Sequence, residues 1–473
     1  MSVEAVLSSA RGLVVAPAGC GKTQLITEVL KEGASKPYLV LTHTVAGVYA
    51  LKKRLRALGV PTKNYRISTI DGWALLVAGA FSASCVIRSN ANDRKAFYVE
   101  LRQVIGRFVR AGNIADIVRA SYARLLVDEY QDCDADQHAL ICAISEFIPT
   151  VIFGDPMQTV FDFRGQNHPS WGVDVQSHFP QVTSLETPWR WNNAGAPALG
   201  EWILATRSSL MRGEGVDLTS CRGHVTWNRL TGNGAVDLKI QNAAQFQLRN
   251  RISYEESLLV LGDSARAGAR HNFARMANGI DVVEPVDLED LIGAISNFDN
   301  SSGEQLVDCI LSTASTLMTG VGKDQVLKRL SSIRAKRNKT PPTAVEISAL
   351  DVVEKASRES IYELLIKLEK NDECKIYRMA AFYFLKDAIR ASISNPTISM
   401  EAVATSIREQ RRHQGESRFP LRAIGSTLLL KGLESDHALI LDAGVMNAKH
   451  LYVALSRGAK SIIVLSRNNL VGN

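Results

Sequence analysis

The chain has 473 residues, 46% hydrophobic and 22% charged, with a formal net charge of +7. A chain of this length and apolar content can bury several cores, about three domain-sized units at ~150 residues each, which excludes a disordered or fibrous protein. Residues 1–10 lack the basic start and long apolar core of a secretion signal, and no run approaches the ~18 apolar residues of a membrane span, so a cytoplasmic protein with no membrane contact is expected.

In chain order, the first apolar run, Leu13–Val15, leads into Ala16-Pro17-Ala18-Gly19-Cys20-Gly21-Lys22-Thr23, and a helix-like stretch follows from Gln24 to Glu32. Strand, glycine-rich loop and helix in that order make a phosphate-binding loop, with Ala16 where a first glycine is usual. Gly19 and Gly21 can turn N–H groups, with those of Ala18 and Cys20, towards a phosphate, and the helix adds its positive end. Lys22 would reach the β- and γ-phosphates, and the Thr23 hydroxyl would ligate Mg²⁺. Cys20 lies inside this loop, where an oxidised thiol would obstruct a nucleotide. The seven cysteines show no C-x-x-C spacing, so neither zinc nor a disulfide framework is indicated.

Further runs at Leu39–Thr42, Ile67–Thr69, Leu125–Val127, Val151–Phe153 and Val182–Leu185 read as buried parallel strands between helical patterns. Among the latter, Val48, Leu51, Leu55 and Leu58 share one face and Gly59 ends the helix. The resulting doubly wound α/β domain, residues 1–186, binds ligands at the carboxyl ends of its strands and is interrupted by a helical insert at about 76–120. A second α/β pattern, 187–285 and 406–473, has strands at Leu258–Leu261, Ile280–Val283, Ala423–Ser426, Ala438–Leu441 and Ser461–Leu465. An inserted helical subdomain, 286–405, splits it. Two basic clusters stand out, one containing Lys328, Arg329, Arg334, Lys336, Arg337 and Lys339, the other Arg408, Arg411 and Arg412. They suit a polyanionic partner or an ordinary solvated helix face.

A second chemical element is Leu125-Leu126-Val127-Asp128-Glu129-Tyr130-Gln131-Asp132, a buried strand ending in two carboxylates. Asp128 is placed to hold Mg²⁺, and Glu129 to polarise the water that attacks a γ-phosphate. Downstream follow Gly154-Asp155-Pro156-Met157-Gln158, Phe161-Asp162-Phe163-Arg164-Gly165, Trp189-Arg190, Lys431-Gly432-Leu433-Glu434 and Tyr452-Val453-Ala454-Leu455-Ser456-Arg457. The order of these strings resembles that of superfamily 1 helicases of the UvrD/Rep type, across nearly the whole chain.

The resemblance implies two RecA-like P-loop NTPase domains with helical insertions, and a DNA-dependent ATPase that uses ATP and Mg²⁺ at the cleft between them. It makes Gln158 the reporter of the γ-phosphate, and Arg190 and Arg457 arginine fingers from the second domain. It sets Trp189 on the nucleotide base and Glu434, beside Gly432, on the ribose. Single-stranded or tailed DNA would meet Thr42, His43, Thr44, Thr69, Trp73, Phe161, Phe163 and Arg164, the aromatics as stacking platforms; each aromatic equally suits a core position. Movement along the strand would be 3′ to 5′.

The chain departs from the family in three places. No glutamine precedes Gln24 to read adenine, Val45 replaces a common polar residue, and Asp71 stands where histidine is common, an acid that would weaken binding to phosphates. Its proportions and the Asp71-Gly72-Trp73 turn resemble the helicase-like subunit of the Gabija anti-phage system. That resemblance implies an endonuclease partner of the overcoming-lysogenization-defect type. The same residues would also serve a nucleotide- and DNA-sensing regulatory subunit of a nuclease complex that unwinds nothing.

Overall fold

Apolar runs become parallel strands when helices cover both faces of the sheet they form. In the computed structural model, whose described residues are 2–90, 93–160, 167–277, 279–285, 288–414 and 420–472, all six runs of the first half do so. They are β1 (Arg11–Val15), β2 (Tyr38–Thr42), β3 (Tyr65–Thr69), β4 (Leu125–Val127), β5 (Thr150–Gly154) and β6 (Gln181–Ser184), in the order β3-β2-β4-β5-β1-β6. Their described pairings are all parallel. Register decides what meets at the edge: Val15 pairs with Gly154 and Val127 with Ile152. The residues that follow β1, β4 and β5 therefore emerge side by side at one end of the sheet.

The chain forms two compact units, residues 1–227 with 443–462 and 468–473, and residues 228–442 with 463–467. In the first, the helices Ile70–Ala80, Arg94–Arg110 and Ala115–Ser121 make up the insert region. Leu101, Ile105 and Val109 share a core with Leu13, Leu39 and Leu125 of the sheet, so the insert packs as part of this unit. Asp71-Gly72-Trp73 is not a free turn: it opens the helix Ile70–Ala80, whose first turn Thr69 caps by accepting from the Gly72 N–H.

A second six-stranded sheet has the order Asp281–Val282, Arg422–Ser426, Leu258–Gly262, Ser435–Ile440, Gly458–Ser466, Val225–Arg229, and its described pairings are parallel. The molecule is thus a mixed α/β protein with two parallel sheets flanked by helices, the architecture of two RecA-like domains. Val225–Arg229 has no counterpart among the expected strands. It lies at the sheet's edge with only Val225 buried, so the continuous apolar run that marks a central strand is missing.

Within the second unit, the helices from Glu289–Asp299 to Met400–Gln414 enclose a hydrophobic core of their own, with Leu291, Phe298, Leu311, Leu364, Phe382 and Phe384 at its centre. Pro341-Pro342 lead into Thr343, which closes a capping box with Glu346 and starts the helix Ala344–Lys355. Four arginines of the basic clusters are paired with carboxylates: Arg329 with Glu346, Arg334 with Glu304, Arg408 with Glu409 and Arg411 with Asp387.

Buried Arg378 bonds to Glu284 at 2.6 and 2.9 Å and to Asp290 at 2.9 Å. His271 lies nearby. Burial first, then the field of Arg378 and Arg270, lowers its pKa to about 4, so its 4.0 Å approach to Glu284 is that of a neutral ring rather than an ion pair. The unfolded histidine takes its proton near 6.5, whereas the folded one refuses it until about 4. Stability from this residue is therefore present above pH 6.5 and lost as pH falls towards 4. Urea titrations over that range are expected to show the loss and His271→Gln to flatten it; an equal slope in the variant would clear His271.

Candidate nucleotide-binding site

The loop after β1 takes the shape its glycines permit. Gly19 and Gly21 have φ of 71° and 90°, a left-handed region that side chains rarely adopt. The helix Lys22–Glu32 begins immediately, with no side-chain cap on its first N–H groups. An anion is the natural partner for such an end. Ala16 is buried where glycine is usual and donates its N–H to the Gly154 carbonyl at 3.0 Å, so this position needs no glycine conformation.

Lys22 Nζ lies 2.9 Å from Asp128 Oδ1 and is also paired with Glu129. Burial opposes the charge on Lys22, but the two carboxylates outweigh it, and its pKa rises. Asp128 is shifted upward, by burial foremost and by Glu129, against the pull of Lys22. Glu129 has φ 55°, a strained conformation for a residue with a side chain and one that recurs at functional sites. Its carboxylate accepts from Gln131 Nε2 at 2.5 Å, while Gln131 Oε1 accepts from the Asp155 N–H at 3.2 Å. Gln131 thus links the ends of β4 and β5. Gln158 donates from Nε2 to the Ala16 carbonyl (3.3 Å) and to Asp155 (3.2 Å), beside the phosphate loop.

Trp189, Arg190 and Arg457 all belong to the first unit, the one that carries the phosphate loop, and not to a separate lobe. Arg190 donates its N–H to the Gly19 carbonyl at 3.1 Å and its Nη1 to the Ser456 carbonyl at 2.5 Å. Arg457 is buried, with Nε on the Val453 carbonyl (2.9 Å) and Nη2 on Ser456 Oγ (2.7 Å). Trp189 is 53% exposed, and a Cβ on Gly21 would stand 3.1 Å from its ring, so an open aromatic face borders the loop. Gly432 and Glu434 are exposed residues of the second unit, Gly432 with φ 79°.

Three supports of the loop were not among the expected site residues. Trp191 is fully buried against Gly19, where a Cβ would meet its ring at 2.7 Å, and it donates from Nε1 to the Gly458 carbonyl at 2.9 Å. Tyr452, also fully buried, bonds through its hydroxyl to the Ala18 N–H at 2.9 Å. Arg207 grips fully buried Asp155 with Nε at 3.1 Å to each oxygen and Nη2 at 2.8 Å. Tyr452 and Trp191 stood within quoted or adjoining strings, yet a sequence cannot rank a buried phenol above its neighbours.

On the strand-binding side, Thr42 is buried at the end of β2, and Thr44 and Thr69 cap the helices Val45–Ala57 and Ile70–Ala80. His43 is partly exposed between them. Trp73 corrects one expectation: at 4% exposure it packs in the sheet's core, because the fourth residue of that helix faces inward, and it offers no face to a base. Phe161, Phe163 and Arg164 lie outside the described residues. Asp71 is a second correction, since Arg102 takes both its oxygens (2.7 and 2.6 Å) and also reaches Asp134 at 2.5 Å. Its charge is balanced and repels no phosphate.

Mg²⁺ prefers oxygen ligands and commonly uses one or two protein groups beside substrate phosphates. The Asp128 carboxylate, paired with Lys22, and the hydroxyl of Thr23, the next residue of the helix, are oxygen ligands of the kind that demand calls for. Among the described residues no cluster of three or more His, Cys, Asp or Glu could hold a metal, and no helix is long and apolar enough to cross a membrane.

Two outcomes follow from the charges. Lys22→Met leaves two carboxylates together without their cation, a change that costs about 3 kcal/mol for buried pairs. Because Asp128 already holds its proton above the usual range, the variant's stability should fall as pH rises from 5 to 8, relative to wild type. Equal losses at both pH values in chemical denaturation would contradict this. Cys20 is pushed up to about 12, mainly by burial and then by Asp155, so its thiol is expected to resist iodoacetamide at pH 8 until the protein unfolds. Mass spectrometry showing native-state alkylation of Cys20 would refute the protected thiol.

No curated protein matches the chain in sequence. Among solved structures, the helicase nonstructural protein 10 of an arterivirus in complex with DNA aligns at 11% identity over 57% of this chain, with a TM-score of 0.28. The chain spans about half the length of that structure, 51%. Residues 85–171, which carry the insert helix Arg94–Arg110, Asp128, Glu129, Asp155 and Gln158, match the UvrD/REP helicase N-terminal domain, and this stretch is similar to that of UvrD-like helicases.

Proposed function

We propose that the chain is a DNA-dependent ATPase of the UvrD-like kind, hydrolysing ATP with Mg²⁺ at the phosphate-loop edge of the first sheet and moving 3′ to 5′ along single-stranded DNA. The observation that carries the reading is Lys22, at a helix N-terminus, ion-paired with two carboxylates from the neighbouring strand end. One cation, two acids and the N-terminal amides of a helix that no side chain caps are the parts that phosphoryl transfer needs.

Each residue then has a task. The loop N–H groups and Lys22 hold the phosphates, and Lys22 leaves Asp128 and Glu129 as it does so. Asp128 and Thr23 would hold Mg²⁺, which would supply charge neutralisation when bound. Glu129 orients and deprotonates water, with Gln131 fixing its carboxylate. Gln158 senses the γ-phosphate, and Arg190 and Arg457 add the guanidinium groups that stabilise transferred charge, a contact worth roughly 10³–10⁵ in rate. Trp189 stacks on the base. That contact is tolerant of base identity, in keeping with the lack of an adenine-reading glutamine.

Lys22→Ala is expected to abolish ATP turnover, and Trp189→Ala to raise KM about tenfold with kcat nearly unchanged, as loss of a binding contact made equally in ground and transition states requires. Full turnover in the lysine variant would sink the assignment. Strand displacement on 3′-tailed against 5′-tailed duplexes reads the direction. ATPase without displacement on either would favour the regulatory subunit instead. By resemblance we extend the proposal to an anti-phage complex, in which the helices of residues 289–414 dock an endonuclease subunit; co-purification of the two chains tests it.

A further inference from the structure

Charge is spread unevenly along this chain. Between Glu32 and Asp71 there is no acidic residue, while seven lysines and arginines occur, which equals the net excess of +7 for the whole protein. The remainder is balanced, and in the clusters farther along Arg329, Arg334 and Arg411 are held in ion pairs with carboxylates. The stretch folds as β2, the helix Val45–Ala57 and β3.

The helix sorts its side chains by face. Leu51 and Leu55 are buried with Leu25, Ile26 and Val29 of the helix that starts at Lys22, and Arg54 donates to Gln24 of that helix at 2.9 Å. At 3.6 residues per turn, Val45, Tyr49, Lys52, Lys53 and Arg56 fall within an arc of about 100° on the opposite side, over roughly 16 Å of axis. Val45 is 51% and Tyr49 68% exposed, Lys53 and Arg56 are exposed, and Lys52 is partly so. No carboxylate pairs with these three cations among the described residues. An uncovered tyrosine with a row of unpaired cations beneath it, in a region without acids, is complementary to a chain of phosphates bearing flat bases.

We propose that this face of the helix Val45–Ala57 is a binding surface for single-stranded nucleic acid, with Tyr49 stacking on a base and Lys52, Lys53 and Arg56 following the backbone. It rests on the nucleic-acid reading above and adds to the residues His43 and Thr44 at the helix's start. Its buried side is joined to the helix of Lys22, so a strand held here bears directly on the nucleotide loop.

The test is anisotropy of a fluorescein-labelled oligodeoxythymidylate titrated with the full chain at several salt concentrations. Tyr49→Ala should weaken binding about tenfold while Tyr49→Phe, which keeps the ring, binds as wild type. The triple change Lys52→Gln, Lys53→Gln, Arg56→Gln should flatten the plot of log K against log salt by about 2, at ~0.7 for each phosphate neutralised on a single strand. Equal binding by the alanine and phenylalanine variants overturns the stacking role. An unchanged salt slope overturns the surface as a whole. Wild type that fails to bind the oligonucleotide at all sinks the nucleic-acid reading itself, an outcome distinct from either. Thermal melting of each variant keeps unfolding apart from loss of contact.

Discussion

The structure is organised around one ammonium group and two carboxylates drawn together at the end of a parallel sheet. None of the three could be buried alone, because the cost of taking a charge out of water exceeds what one domain can spare. Lys22 reaches Asp128 and Glu129 across β5, which lies between β1 and β4: Val127, the last residue of β4, pairs with Ile152, two residues before Gly154, where β1 and β5 end. One ammonium facing two carboxylates leaves a net negative charge unless Asp128, whose pKa is raised by burial and by Glu129, keeps its proton. Glu129, one of the two partners of Lys22, holds a strained backbone with φ 55°.

Around that group lies a layer whose members act on the loop rather than on a ligand. Trp191 fills the space under Gly19, Tyr452 fixes the Ala18 amide, and Arg207 neutralises the fully buried Asp155 that in turn holds Gln158. These contacts explain why glycine is required at Gly19 twice over: by its φ and by the ring beneath it. Cys20, in the same loop, is buried, and burial foremost raises its thiol pKa.

Electrostatics divides the surface in a way that composition conceals. A modest net charge spread evenly would say little about partners, but here it is concentrated in one helix and its flanks, while more conspicuous runs of arginine are spent on neighbouring carboxylates. The distinction depends on what lies across space. Asp71 shows the converse, an acid whose charge is balanced by Arg102, thirty-one residues away in sequence.

The sequence alone determined the six strands of the first sheet, the phosphate loop and the acidic strand end, because those features are local: apolar runs, glycine spacing and residue order suffice to produce them. Its resemblance to UvrD-like helicases came from the same local strings. Tertiary structure decided the rest. It buried Trp73 and left Trp189 open, placed Arg190 and Arg457 in the unit of the phosphate loop, revealed Trp191, Arg207 and Tyr452 as its supports, and paired Arg329, Arg334 and Arg411 with carboxylates. Exposure and charge compensation depend on residues distant in sequence, and no spacing along the chain encodes which of them will arrive.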